Sequence, residues 1–194
     1  MKKKLYILFI GIIIISLSIL TACRSDIEVS TSDGILANNN IADFYFYYPP
    51  EFTLDKNASM ISVYATDDEL VATDIPRDDE NYHIQVHPNL SASVYGLYDN
   101  YESIDEYWRN ECLPLFEKTF SSMEMLNDEH LIIDGVDARR YNYTATLAGM
   151  EFQYSQIFII RGDNLYTLTY TATPEKFDRY IRLLDTVAET FAFK

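Results

Sequence analysis

MEFQYSQIFIIRGDNLYTLTYT, residues 150–171, is the stretch that decides the fold. In its first half both alternating sets are apolar, with Phe152, Tyr154, Phe158 and Ile160 on one side and Ile157 and Ile159 on the other. A strand with one wet face alternates apolar and polar residues, whereas a strand apolar on both faces is covered on both. Gly162-Asp163 interrupts the run and residues 165–171 resume it, so the stretch reads as a hairpin whose first strand is sandwiched. The same punctuation repeats upstream. Strands are predicted over 123–133 and 136–146, with turns at Asp134-Gly135 and Ala148-Gly149, and four strands joined by tight turns make an antiparallel meander.

The covers for the two faces lie on either side of this meander. Downstream, Thr173 as cap and Pro174 at the first position start a helix with Phe177, Tyr180, Ile181, Leu184 and Val187 at helical spacing, and Phe191 and Phe193 close the chain against the sheet. Upstream, Ser103 and Glu106 form a capping box that opens a second helix. Its stripe is Ile104, Tyr107, Trp108, Cys112 and Leu115 or Phe116; Pro114 predicts a kink or restart before an end near Phe120. Residues 91–101 read as a loop carrying Tyr95, Tyr98 and Tyr101.

The first folded element is Phe44 to Tyr48, aromatic on both faces and stopped by Pro49-Pro50, with a further strand predicted over Ile61 to Ala65. Tyr82 to His87 alternates with Tyr82, Ile84 and Val86 inward. Along a strand His83 and His87 lie about 13 Å apart and cannot share a metal ion. The acidic runs 67–69 and 78–80 lack the alternate-residue spacing and the glycine of a calcium loop, so they read as solvated connections and no metal site is expected.

The order of these elements resembles the PsbP-like fold, on Phe44-Tyr45-Phe46-Tyr47-Tyr48-Pro49 at one end and on Leu165 to Tyr170 followed by Thr173 to Phe193 at the other. The resemblance covers residues 43–193. It implies an α+β domain with an antiparallel sheet of about six strands between helices, and a non-enzymatic accessory role towards a larger partner. It carries no catalytic residue onto this chain.

At the start of the chain, Lys2, Lys3 and Lys4 precede sixteen apolar-rich residues, Leu5 to Leu20, in the layout of a signal peptide. The closing Leu20-Thr21-Ala22-Cys23 resembles the bacterial lipobox. That resemblance implies cleavage after Ala22, a diacylglyceryl group on Cys23, and a domain held on the outer face of a cell membrane. The division expected is a signal peptide over 1–22, a polar tether over 23–42 and one domain over 43–194. A domain of about 150 residues buries enough surface to fold without a metal or a disulfide. With Cys23 lipidated, Cys112 is the remaining thiol and reads as a small buried hydrophobe.

The chain carries a formal charge of −15, and removal of the three signal lysines takes it to −18. Such a surface repels nucleic acid and anionic headgroups and favours basic partners. No nucleophile elbow, metalloprotease helix, phosphate loop or paired cysteines occur, and no cofactor is expected. Arg161-Gly162-Asp163 matches an integrin-binding tripeptide by letters, but its place between two strands makes a hairpin turn a sufficient reading. The expectation is a tethered binding module, with an envelope hydrolase using dispersed carboxylates as the alternative. Tyr95, Tyr98, Tyr101 and Trp108 are the candidate surface for a basic protein or a glycan, because tyrosine and tryptophan offer rigid apolar area with a polar tip; the alternative is that the three tyrosine rings fold down over the sheet edge and the start of the helix.

Overall fold

The computed structural model describes residues 34–38, 40, 42–50, 52–57, 60–65 and 88–194. The meander is present: β6 (Ser122–Ile133), β7 (Val136–Leu147), β8 (Met150–Arg161) and β9 (Asn164–Ala172) pair in sequence, all antiparallel. Its turns use the chemistry their geometry demands. Asp134 and Gly135 have φ of 46° and 77°, and Ala148 and Gly149 have 51° and 81°, so both tight turns place two residues in the left-handed region that matches strand twist.

The remaining strands are β1 (Ile35–Asn38), β2 (Phe44–Tyr48), β3 (Phe52–Asn57), β4 (Met60–Ala65), β5 (Asn89–Gly96) and the two-residue β10 (Ala192–Phe193). They form a seven-stranded sheet, β3-β4-β5-β9-β8-β7-β6, and a small one, β1-β2-β10. Helices cover the large sheet. On one face α1 (Ile104–Tyr107), a π-helical turn (Trp108–Cys112) and α2 (Leu113–Thr119) bury Ile104, Trp108 and Phe116 against Tyr141, Tyr143, Phe152 and Phe158. On the other, α3 (Pro174–Tyr180) and α4 (Arg182–Thr190) bury Phe177, Leu184 and Val187 with Ile157, Ile159, Leu168 and Tyr170. The chain is an α+β fold with an antiparallel sheet between helices, and β8 is covered on both faces.

Two consecutive residues of β7 tie these layers together, because neighbours along a strand point to opposite faces. Arg139 donates from Nε to Asp105 Oδ1 at the start of α1 at 3.0 Å, and Tyr141 donates its hydroxyl to the same oxygen at 2.6 Å. Arg140, on the other face, reaches Asp185 of α4 at 2.6 Å.

Several expectations are corrected. Among the described residues the sheet between the helices has seven strands, close to the six expected, but a second sheet of three strands stands beside it and β3 follows directly beyond the Pro49-Pro50 stop. β2 lies in the small sheet with Phe44, Phe46 and Tyr48 buried and Tyr45 and Tyr47 only half-buried, so its aromatic content does not mean two full covers. Residues 35–38, assigned to the tether, form β1 along β2 with Ile35 opposite Tyr48. Residues 91–96 are not loop but the body of β5, pairing with β9 from Asn89↔Thr171 to Gly96↔Asn164. Serines hid that strand: Ser93 is buried, with its hydroxyl 2.8 Å from that of Thr167, so a polar letter occupies a core position. Pro114 marks a restart, as expected: α2 begins at Leu113 with the proline in its first turn. With no N–H at Pro114 the preceding turn widens, and Leu113 N–H bonds back five residues to Trp108 O. The last helix is split at Ile181, and Thr173 makes no side-chain cap bond. The signal segment, Cys23, the acidic runs 67–69 and 78–80, and the strand predicted at Tyr82 to His87 with His83 and His87 lie outside the described residues.

Candidate functional site

The four candidate aromatics separate. Trp108 is core: it is 5 % exposed and stacks on Tyr141 with centroids 3.9 Å apart and planes 8° off parallel. It leaves the binding surface because its helix turns it inward onto β7, where Phe116, Tyr143 and Phe158 also touch it. Tyr95 lies within β5, half-buried, and burial pushes its hydroxyl pKa up. Tyr101 is pinned at the rim, its ring edge-on to Tyr107 at 5.0 Å and its hydroxyl donating to Glu111 Oε1 at 3.1 Å. Tyr98 alone stands in water, at 87 % exposure.

What holds Tyr98 out is the meeting of two loops. Strands β5 and β9 are paired to their ends, with Gly96 opposite Asn164, so the segment after β5 lies against the β8–β9 turn. Leu97 N–H donates to Asp163 O at 2.7 Å and locks them together. Gly162 takes φ of 58° at the first central position of that turn, where a Cβ would be strained. On the helix side, Ser103 Oγ accepts from Glu106 N–H at 3.1 Å, and Glu106 Oε2 accepts from Glu102 N–H at 2.7 Å. The box caps one residue earlier than the usual form and fixes where the loop ends.

Between the loops is a hollow of about 240 Å³, lined by Leu97, Tyr98, Asp99, Asn100, Tyr101, Ile160, Gly162 and Asp163. Leu97 and Ile160 supply the apolar lining; Asp99, Asn100 and Asp163 supply polar groups. Desolvation pushes the Tyr101 hydroxyl up to about 12, and the carboxylates of Glu111, Asp99 and Glu106 push the same way, so it remains a proton donor. Among the described residues neither Asp99 nor Asp163 has an ion-pair partner. Arg161 lays its guanidinium over the Phe193 ring at 4.4 Å and does not line the hollow, which leaves the Arg161-Gly162-Asp163 tripeptide serving as a turn.

Sequence reading found Tyr98 and Tyr101 but missed Asp99, Asn100 and Asp163 as their companions. Asp99 and Asn100 sit between the two tyrosines in the sequence, whereas no local signal marks Asp163, which joins them only because β5 pairs with β9, a strand some seventy residues away. Cys112 is fully buried, and burial pushes its thiol well above the ordinary range, so it is no accessible nucleophile.

The fold is shared with solved structures. The solution structure of cyanobacterial PsbP (CyanoP) from Synechocystis sp. PCC 6803 is similar with a TM-score of 0.54 at 15 % identity, covering 90 % of this chain and 99 % of that one. LpqN, involved in cell envelope biogenesis of Mycobacterium tuberculosis, gives a TM-score of 0.56 at 10 % identity over 83 % and 85 % of the two chains. The Saccharomyces cerevisiae Ran-binding protein Mog1p gives 0.56 at 11 % identity over 84 % and 96 %. The PsbP-like fold expected from the order of elements is therefore the fold observed. No protein-family model and no curated protein sequence matches the chain.

Proposed function

We propose that this protein is a membrane-tethered, extracytoplasmic lipoprotein acting as a non-enzymatic binding module, and that Tyr98 and its hollow are the contact surface. The observation that carries the reading is a tyrosine 87 % exposed on a loop fixed at both ends. A large side chain held in water on a rigid support is preorganised for recognition, since little ordering remains to be done on binding. The neighbours of the same fold include a Ran-binding protein and a protein of cell envelope biogenesis, which supports a binding role without naming a partner.

The anchor geometry agrees with this surface being presented outward. Ten residues separate Cys23 from Gly34, a reach of at most about 36 Å. β1 then begins beside Tyr48, whereas the β8–β9 turn reaches the opposite end of β2 through Arg161 and Phe193, which pairs with Phe44. Five residues of strand, about 13 Å, thus separate the point of attachment from the end bearing the hollow.

The test is photo-crosslinking in intact cells with benzoylphenylalanine replacing Tyr98, and in a control replacing Glu151, exposed at the far end of β8. A discrete adduct specific to position 98, lost together with membrane fractionation in the Cys23→Ala background, is expected. Equal labelling from both positions would refute the surface; a Cys23→Ala chain still processed and membrane-bound would refute the anchor.

A further inference from the structure

Resting on that reading, we infer that the hollow takes a basic side chain, the guanidinium or ammonium group of an extended segment of a protein partner. Size comes first. At about 240 Å³ the hollow is below the range of sites that enclose a drug-sized ligand, and it admits one side chain rather than a whole small molecule. An arginine or lysine brings an apolar stem and a charged head, and the lining divides in the same way: Leu97 and Ile160 for the stem, Asp99 and Asp163 for the head.

Charge fixes the sign. Among the described residues the lining contains two carboxylates and no cation, and Arg161, next to it in sequence, is engaged with Phe193. Glu111 and Glu106 stand behind Tyr101; desolvation is the main push on its hydroxyl, and these carboxylates with Asp99 add to it in the same direction. An anionic ligand would meet repulsion from every charged lining group, and a net charge of −15 for the whole chain adds to it. The exposed face of the Tyr98 ring completes the pattern, because a cation over a tyrosine face is attracted by the ring quadrupole, and a planar guanidinium can both stack there and fork onto a carboxylate. A neutral glycan stacks on tyrosine too and can donate its hydroxyls to the two carboxylates, but it brings no charge to offset theirs, as a guanidinium or ammonium does.

The test uses the full chain in neutral detergent micelles, titrated calorimetrically with three probes: the peptide Gly-Arg-Gly-Arg-Gly, the same peptide with citrulline for arginine, and a neutral N-acetylglucosamine oligomer. The arginine peptide is expected to bind, weakening as salt rises, with the citrulline peptide at least tenfold weaker. Tyr98→Ala should weaken it at least tenfold, Tyr98→Phe should retain it, and Asp99→Asn with Asp163→Asn should weaken it at least tenfold. Glu117→Gln, an exposed acid on α2, should leave it unchanged. Equal weakening by Glu117→Gln would reduce the effect to general charge and overturn the inference. Glycan binding that depends on Tyr98 would overturn the ligand class and leave the binding surface standing, whereas binding of no probe with dependence on Tyr98 would overturn both.

Discussion

Replacing Tyr98 and Trp108 by alanine separates surface from core in a single experiment. Tyr98 is 87 % exposed. Of the roughly 200 Å² a tyrosine can bury, only about 25 Å² is therefore out of water, worth about 0.6 kcal/mol at ~25 cal/mol per Å². Trp108 is 5 % exposed and sits among Tyr141, Phe116, Phe158 and Tyr143, so its truncation removes nearly the whole ring and leaves a cavity, at about 3–5 kcal/mol. For a domain of this size those costs correspond to shifts of about 2 °C and about 10 °C or more. Urea titration of the full chain in detergent, followed by circular dichroism, measures both, and unchanged slopes would confirm that each variant unfolds from the same native state. A loss above about 2 kcal/mol for Tyr98→Ala would mean that the ring folds down on the sheet edge. That result would refute the case for its being held out for a partner.

Two further outcomes are expected. The Asp105 carboxyl is held below the usual range, chiefly by the Tyr141 hydroxyl and then by Arg139, so its contribution is present above the unfolded carboxylate pKa of about 3.9 and fades as pH falls below it. Melting of wild type and Asp105→Asn from pH 7 to pH 2.5 should therefore converge below about pH 4, and a constant gap would show that Asp105 acts by shape alone. Ala148 occupies φ of 51° ahead of Gly149, a conformation asparagine tolerates better than alanine. Ala148→Asn should stabilise by about 0.5–1 kcal/mol, read as a higher urea midpoint, and a lower midpoint would contradict the turn assignment.

Legibility in the sequence followed periodicity. The meander could be read to within a residue or two because Gly135, Gly149 and Gly162 mark its turns, and because Ile157 and Ile159 opposite Phe152, Tyr154 and Phe158 demand two covers. Strands without that contrast escaped. β5 carries Ser91 and Ser93 where a core strand would show large apolar residues, and β1, Ile35-Leu36-Ala37-Asn38, is an apolar patch too short to show a period, set in a polar, asparagine-rich stretch. Trp108 fits both the apolar stripe of its helix and the candidate surface in the sequence, and the structure places it on the stripe. A tryptophan two turns from a tyrosine-rich loop can face either way, and only the register of the helix on β7 decides that it stacks on Tyr141. The hollow was half legible: its tyrosines are in one segment, but Asp163 joins them across a strand pairing with no local trace.

A second surface competes with the hollow for the role of contact site, and its own chemistry argues against it. β6 is an open edge of twelve residues that exposes Met125, Leu126 and Ile132, the sort of strand that invites a second chain to add on. Its register slips between Met125 and Asn127, so Leu126 has no partner in β7 and the ladder is broken where two of the exposed apolar residues adjoin. Glu124, Asp128 and Glu129 line the rest, and Arg139 and Arg140 fix Asp128 and Glu129 in place while reaching Asp105 and Asp185 on the helices of either face. A second copy of a chain with a charge of −15 would bring the same carboxylates against these. The devices that blunt β6 also brace the layers, whereas among the described residues nothing comparable covers or blunts Tyr98. Between an edge that is guarded and a ring that is held in the open, it is the ring that we propose as the contact surface.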